Sequence, residues 1–125
     1  VSRIMLAFKS LMRAADSVPV VVFDEIDTGI GGETAHAIAK KMAALAGKTQ
    51  VVAITHLPQI AAAADRHITA SKASVSGRTV IRASEVSGAE RIREMTRMLG
   101  ATGREESQEL AKSLVRDAGK FKRKK

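Results

Sequence analysis

The chain contains no cysteine, no tryptophan and no tyrosine, and only three phenylalanines. Without cysteine there are no structural disulfides and no thiolate metal sites, which is compatible with a reducing compartment. With so few aromatics the core has to be built from Ala, Val, Ile, Leu and Met, a palette that suits helices packed on a buried sheet better than a β-sandwich. No apolar run approaches the roughly 18 residues that a membrane span requires, so no membrane partner is expected. No secretory leader is expected. The first residue is Val1 rather than Met, from which a fragment or a processed product is expected.

What is present is a 125-residue chain, enough for one domain, with 45% apolar residues and a formal net charge of +8. Much of the positive charge collects at the end, in Lys120, Lys122, Arg123, Lys124 and Lys125. Such a block is either a solvated, disordered tail or a contact for a polyanion such as DNA. A base-stacking platform is not expected there, because only Phe121 accompanies the charges.

Periodicity divides the chain into alternating elements. Ser2 to Ala15 reads as a helix with Ile4, Phe8, Leu11, Met12 and Ala15 on its inner face. Val20-Val21-Val22-Phe23 is a run of β-formers that reads as a strand buried on both faces. Glu33 to Ala46 is an amphipathic helix with Ala35, Ile38, Ala39, Met42, Leu45 and Ala46 inward and Gly47 as its C-terminal cap. Gln50 to Thr55 is a second buried strand, ending at His56. A strand–helix–strand unit of this kind implies parallel strands joined by a right-handed crossover. The carboxyl ends of both strands then share one edge, the edge at which open α/β sheets bind ligands. Asp24, Glu25 and His56 are thereby expected to be neighbours.

Further on, Leu57 to Ala64 reads as a short helix with Pro58 in its first turn. Arg66 to Ser71 and Arg78 to Ser84 read as a hairpin around Ser76-Gly77. Ser87 and Glu90 fit a capping box that opens a helix to about Leu99. After Gly100 and Gly103, a last helix is expected from Glu105 to Ala118, with Leu110, Ala111, Leu114, Val115 and Ala118 inward.

Four apolar β-formers followed by Asp24-Glu25 form the most informative stretch. An acid at the end of a buried strand is costly unless something positive meets it. Mg²⁺ suits the position, because it favours carboxylate and water oxygens together with substrate phosphates. Asp24 is accordingly assigned to a metal, held through water, and Glu25 to the general base that activates an attacking water. An isolated Asp-Glu could merely end a strand or cap a helix. The order Asp27, glycine loop, strand, His56 argues against that. Gly29, Gly31 and Gly32 do not make a dinucleotide fingerprint, and they follow an acidic strand end that would repel a pyrophosphate. His36 and His67 show no ligand spacing with each other or with His56, so zinc is not expected. The methionines fit core packing.

Val20 to Asp27 resembles an ABC-family Walker B strand running into a D-loop. The stretch Asp24-Glu25-Ile26-Asp27-Thr28-Gly29-Ile30-Gly31-Gly32, with Thr55-His56-Leu57-Pro58-Gln59, is similar to the RecN family in particular. Ala64-Asp65-Arg66-His67 and the Glu90-to-Gly100 helix share the likeness, which covers residues 1 to about 100. The resemblance implies an α/β fold that is a partial P-loop NTPase, an ABC ATPase head lacking its Walker A part. Residues 1–100 would be the C-terminal part of that head, 101–118 a C-terminal helix and 119–125 a basic tail. It also implies ATP and Mg²⁺ as cofactors, with Asp24 and Asp27 contributing to the cofactor site and Glu25 and His56 to catalysis. Asp27 would be the D-loop acid at the interface where two heads of a homodimer sandwich ATP, and His56 the switch histidine on the γ-phosphate. Gln59 would either orient water or cap the short helix. Val1-Ser2-Arg3 resembles the segment directly after the signature motif, so that motif is expected just upstream.

No Gly-x-x-x-x-Gly-Lys-Ser/Thr occurs in the chain, so the phosphate cradle and its lysine are missing. The chain alone is therefore expected to have no measurable ATPase, while the complete protein would hydrolyse ATP during DNA double-strand-break repair, in the cytoplasm and on the nucleoid. The alternatives are an SMC-like structural or DNA-binding head that uses ATP only as a dimerisation switch, or another SMC-like head.

Overall fold

The computed structural model describes residues 2–11, 18–100 and 105–122. In chain order the elements are α1 (Ser2–Leu11), β1 (Val20–Phe23), α2 (Gly32–Leu45), β2 (Gln50–Ala53), α3 (Pro58–Ala62), β3 (His67–Val75), β4 (Arg78–Val86), α4 (Gly88–Met98) and α5 (Glu105–Lys122). β1 and β2 pair in parallel, with Val20 opposite Gln50 and Phe23 opposite Ala53. β3 and β4 form a separate antiparallel hairpin. The α/β class and the parallel pair are therefore as the sequence indicates. Among the described residues no helix is long and apolar enough to cross a membrane.

The core gathers Leu6, Phe23, Ile26, Ile38, Met42, Leu45, Ile60 and Met95 with small alanines from α2, α3 and α5. The alanines let the helices approach closely, so a few large side chains suffice to fill the space. Phe23, Ile26 and Met95 are the largest fully buried side chains, each contributing about 1.5–3 kcal/mol by removal from water. α2 buries the predicted stripe of Ala35, Ile38, Ala39, Met42 and Leu45.

Several local expectations are corrected. β1 and β2 are covered on one face only: Val21, Phe23, Val51 and Ala53 pack on the core, while Val22 is 61% and Val52 40% exposed. An apolar run at period one cannot tell one covered face from two, and among the described residues the helices cover only one. In α1 the inner residue is Leu6; Ile4 is 76% exposed. Of the rest of the predicted α1 stripe, Met12 and Ala15 lie outside the described residues, and the side chains of Phe8 and Leu11 are not described either. Ala46, not Gly47, caps α2, in right-handed conformation with its amide on the Met42 carbonyl. Ser87 caps α4 without a side-chain hydrogen bond, so the capping box is not formed.

α5 continues four residues past the predicted end, to Lys122. Lys120 pairs with Asp117 at 2.7 Å and Lys122 with Asp65 at 2.9 Å. Phe121 meets the His36 ring edge-on at 5.6 Å. These contacts order the first part of what the charge pattern presents as a tail; residues 123–125 lie outside the described residues. Leu110, expected inward, is exposed.

Candidate functional site

β1 ends at Phe23 because the next residues must leave the ladder. The last ladder bond runs from the Ile54 amide to the Phe23 carbonyl at 2.9 Å. Asp24 and Glu25 follow, both exposed at the carboxyl end of the sheet. Glu25 has φ 53°, a left-handed conformation that costs a residue with a Cβ about 1–2 kcal/mol. Its carbonyl accepts the Thr28 amide at 3.3 Å, closing a turn. That turn drives Ile26 into the core, where it is fully buried. The strain at Glu25 is thus tied to a chain reversal that sends the carboxylate outward and the next side chain inward.

Asp27 points the other way. It is 4% exposed, and its Oδ2 is the anchor of the adjoining strand end. The Thr55 hydroxyl donates a short hydrogen bond to it. The His56 amide donates to the same oxygen at 2.8 Å, and His56 Nδ1 lies 3.0 Å from it. The Thr55 hydroxyl in turn accepts the Leu57 amide at 3.0 Å, and Leu57 is the N-cap of α3. Burial works to raise the pKa of the Asp27 carboxyl, but the hydrogen bonds from Thr55 and from the His56 and Asp27 backbone, with the nearby imidazole, leave it below its ordinary value of 3.8. Asp27 is therefore a buried carboxylate that charges readily because donors surround it.

The His56 side chain, unlike its anchor, is 75% exposed. The structure thus brings His56 and Asp27 into direct contact, and it sets Asp24 and Glu25 on the same sheet edge. Gln59, in the first turn of α3, lies against the start of α2: its Nε2 is 3.4 Å from where a Cβ on Gly32 would sit. Its Oε1 is buried without a partner among the described residues.

Among the described residues no group of three or more His, Asp or Glu side chains could hold a metal ion. An all-protein cage is thus not built here. Mg²⁺ needs less, because it keeps waters and takes one or two carboxylates beside substrate phosphates. Asp24, exposed at a strand end, meets that requirement.

Two residues carry contacts that the sequence pattern does not announce. Arg91 of α4 reaches across to the C-terminal end of α3, with Nη2 3.2, 3.1 and 2.8 Å from the carbonyls of Ala61, Ala62 and Ala64. A cation on the free carbonyls of a helix end is favourable. His67, at the start of β3, is buried with Nδ1 unpartnered among the described residues. Burial and then the Arg91 charge hold its pKa below 6.5, against an opposing pull from Glu94. The sequence gives no local signal for either: Arg91 stands among Glu90, Arg93 and Glu94, and His67 directly follows Asp65 and Arg66. A shallow cleft lined by Thr69, Ser84, Glu90 and Arg93 among others lies between the hairpin and α4, and shares no residue with the sheet-edge site.

A parallel strand pair with an acidic edge, backed by helices, defines an α/β protein compatible with part of an ABC- or SMC-like ATPase head. Comparison with known proteins narrows the class. No protein-family profile matches the chain. It is 45% identical over 120 residues to the DNA repair protein RecN of Treponema pallidum, covering 92% of this chain and 21% of that protein. It is 40% identical over 122 residues to RecN of Bacillus subtilis, covering 97% and 21%. Against RecN of Deinococcus radiodurans it is 43% identical over 114 residues, covering 91% and 20%. The chain belongs to the RecN family, and it spans about a fifth of the length of these curated relatives.

Proposed function

We propose that this chain supplies the Walker B half of a Mg-ATP site in a DNA repair protein, with the phosphate-binding loop and the signature motif contributed by polypeptide outside it. The observation that carries the reading is the strained Glu25, held at φ 53° beside Asp24 at the carboxyl end of the parallel pair. Backbone strain persists where the surrounding fold enforces it, and it concentrates at functional positions. An exposed acid pair and an exposed imidazole from the end of the neighbouring strand support the reading.

In this reading Asp24 holds Mg²⁺ through water. A metal held there would supply positive charge to the phosphate oxygens. Glu25 takes a proton from the attacking water. His56 contacts the γ-phosphate from the end of the neighbouring strand, on the same sheet edge. ATP bound between two heads would join a homodimer, and DNA would be the macromolecular substrate, as the relatives' name implies of them. Lys120 and Lys122 are already ion-paired within the fold, which supports a head built around nucleotide rather than a free basic tail as the centre of function.

The test is Asp24→Asn in the complete protein, followed by calorimetry of ATP binding with and without Mg²⁺. The reading expects the variant to lose the metal-dependent part of the affinity, about 10-fold or more. Equal Mg²⁺ dependence in the two proteins would remove Asp24 from the site.

A further inference from the structure

The β3–β4 hairpin is the large feature that the sheet-edge site leaves unused. Its base is tied to the fold: His67 is buried, and Thr69 and Ser84 line the cleft against α4. The hairpin's one acid, Glu85, is taken up there by Arg66 at 2.6 Å. Further out, from Ala70 to Arg82, every residue but Ala73 is exposed. From Ile68 to Ser84 the sequence holds no acid, yet it holds Lys72, Arg78 and Arg82. None of these three has an ion-pair partner among the described residues. The lysines of α5 differ, because Lys112, Lys120 and Lys122 each pair with an acid. We propose that the outer half of the hairpin is a contact surface for duplex DNA, binding its phosphates through Arg78 and Arg82 with Lys72 in support. The proposal rests on the reading that DNA is the macromolecular substrate, and it names where this chain touches it.

Strand geometry sets the contact. Arg82 stands opposite Ser71, and Arg78 opposite Val75. Side chains alternate along a strand, so the two arginines share one face. They stand roughly 13 Å apart by the rise of a strand, too far to share one phosphate, so each takes its own. A guanidinium fork matches phosphate oxygens with two parallel hydrogen bonds. Ser71 adds a neutral donor on the same face. Lys72, opposite Ile81 on the other face, brings a point charge on a flexible stem. The hairpin has no Phe, Tyr or Trp and so no platform on which unpaired bases could stack, which favours a duplex over a single strand. A two-stranded ribbon is also one of the elements that the major groove admits. Cations already exposed and unpaired give up no protein contact when they displace counterions from the phosphates.

The experiment measures binding of the complete protein to a fluorescent duplex oligonucleotide by anisotropy across a salt series. The test variant is Arg78→Ser with Arg82→Ser. The control is Lys40→Ser with Lys41→Ser, two exposed positions of α2, which removes the same charge elsewhere. Near about 0.1 M salt the test variant should bind about 10-fold more weakly or worse, and the slope of log affinity against log salt should fall by about 2, roughly one for each phosphate contact. Arg78→Lys with Arg82→Lys keeps the charges and should restore the slope. A second measurement needs no substitution: bound duplex should shield Lys72 from an amine-reactive reagent. A test variant that binds like the control would overturn the proposal while leaving DNA as a partner contacted elsewhere. Equal labelling of Lys72 with and without duplex would overturn it too. Absence of duplex binding by the unsubstituted protein would defeat the DNA reading itself, and this surface with it.

Discussion

The parallel pair β1–β2 has four residues in each strand and carries the candidate site; the antiparallel pair β3–β4 has nine in each and carries none of it. Length and importance run in opposite directions because the two pairs are stabilised differently. The hairpin needs only its own ladder and a turn. Ser76 and Gly77 both adopt positive φ, 50° and 74°, the geometry that joins two twisted strands with a two-residue loop. Its side chains are almost all exposed. The parallel pair has no such local closure. Its strands are brought together by α2, and Phe23 and Ile26 sink into the helical core on either side of the strained turn. A short strand so fixed can hold acids outward at its end against their preference for water on all sides.

The contrast can be tested by substitution, starting where it is largest. Phe23→Ala in β1 should cost about 3–5 kcal/mol of stability, while Ile81→Ala in β4 should stay within about 0.5 kcal/mol, both read from the midpoint of urea unfolding. Equal losses would mean that the hairpin belongs to the same cooperative core.

Next in size is the clamp between α4 and α3. Removing the Arg91 guanidinium takes a donor from three carbonyls at the end of α3, of which that of Ala61 keeps the Ala64 amide. Arg91→Ala should therefore destabilise by about 2 kcal/mol, with Arg91→Lys recovering only part, because a point charge does not reproduce the planar fork.

A smaller effect of opposite sign is expected at the site itself. Glu25→Gly removes the left-handed strain but adds chain entropy to the unfolded state, for a net gain of about 0.5–1 kcal/mol. A loss of stability instead would show that the Glu25 side chain makes contacts that outweigh its backbone.

The smallest effect is the pH dependence from His67. Its folded pKa lies below 6.5, so the unfolded chain takes up the proton first as the pH falls. The His67 contribution to stability is complete above about pH 6.5 and declines as the pH drops through that value toward the folded pKa. His67→Asn should flatten this slope in thermal unfolding followed between about pH 7 and 5; an unchanged slope would assign it to other groups.

Much of this architecture is legible in the order of the amino acids. β1 can be read to the residue because four β-formers end abruptly in two acids. The parallel pairing follows from the strand–helix–strand order, and with it the shared edge for Asp24, Glu25 and His56. Illegible are the features set by tertiary partners far along the chain. Asp27 and Thr55 are 28 residues apart, and nothing in the spacing says that one would anchor the other. Lys122 pairs with Asp65 across 57 residues, so the charge block at the end of the chain gives no sign that part of it is helical. The choice of Leu6 over Ile4 as the buried residue of α1 depends on which way that helix rolls against α2. Periodicity alone admits either.

The central claim is that the outward acid pair acts on a nucleotide, and Glu25→Gln in the complete protein tests it most directly. ATP binding and steady-state hydrolysis would be measured side by side. The account predicts that binding persists while turnover falls by about 100-fold or more; hydrolysis at the unsubstituted rate would contradict it.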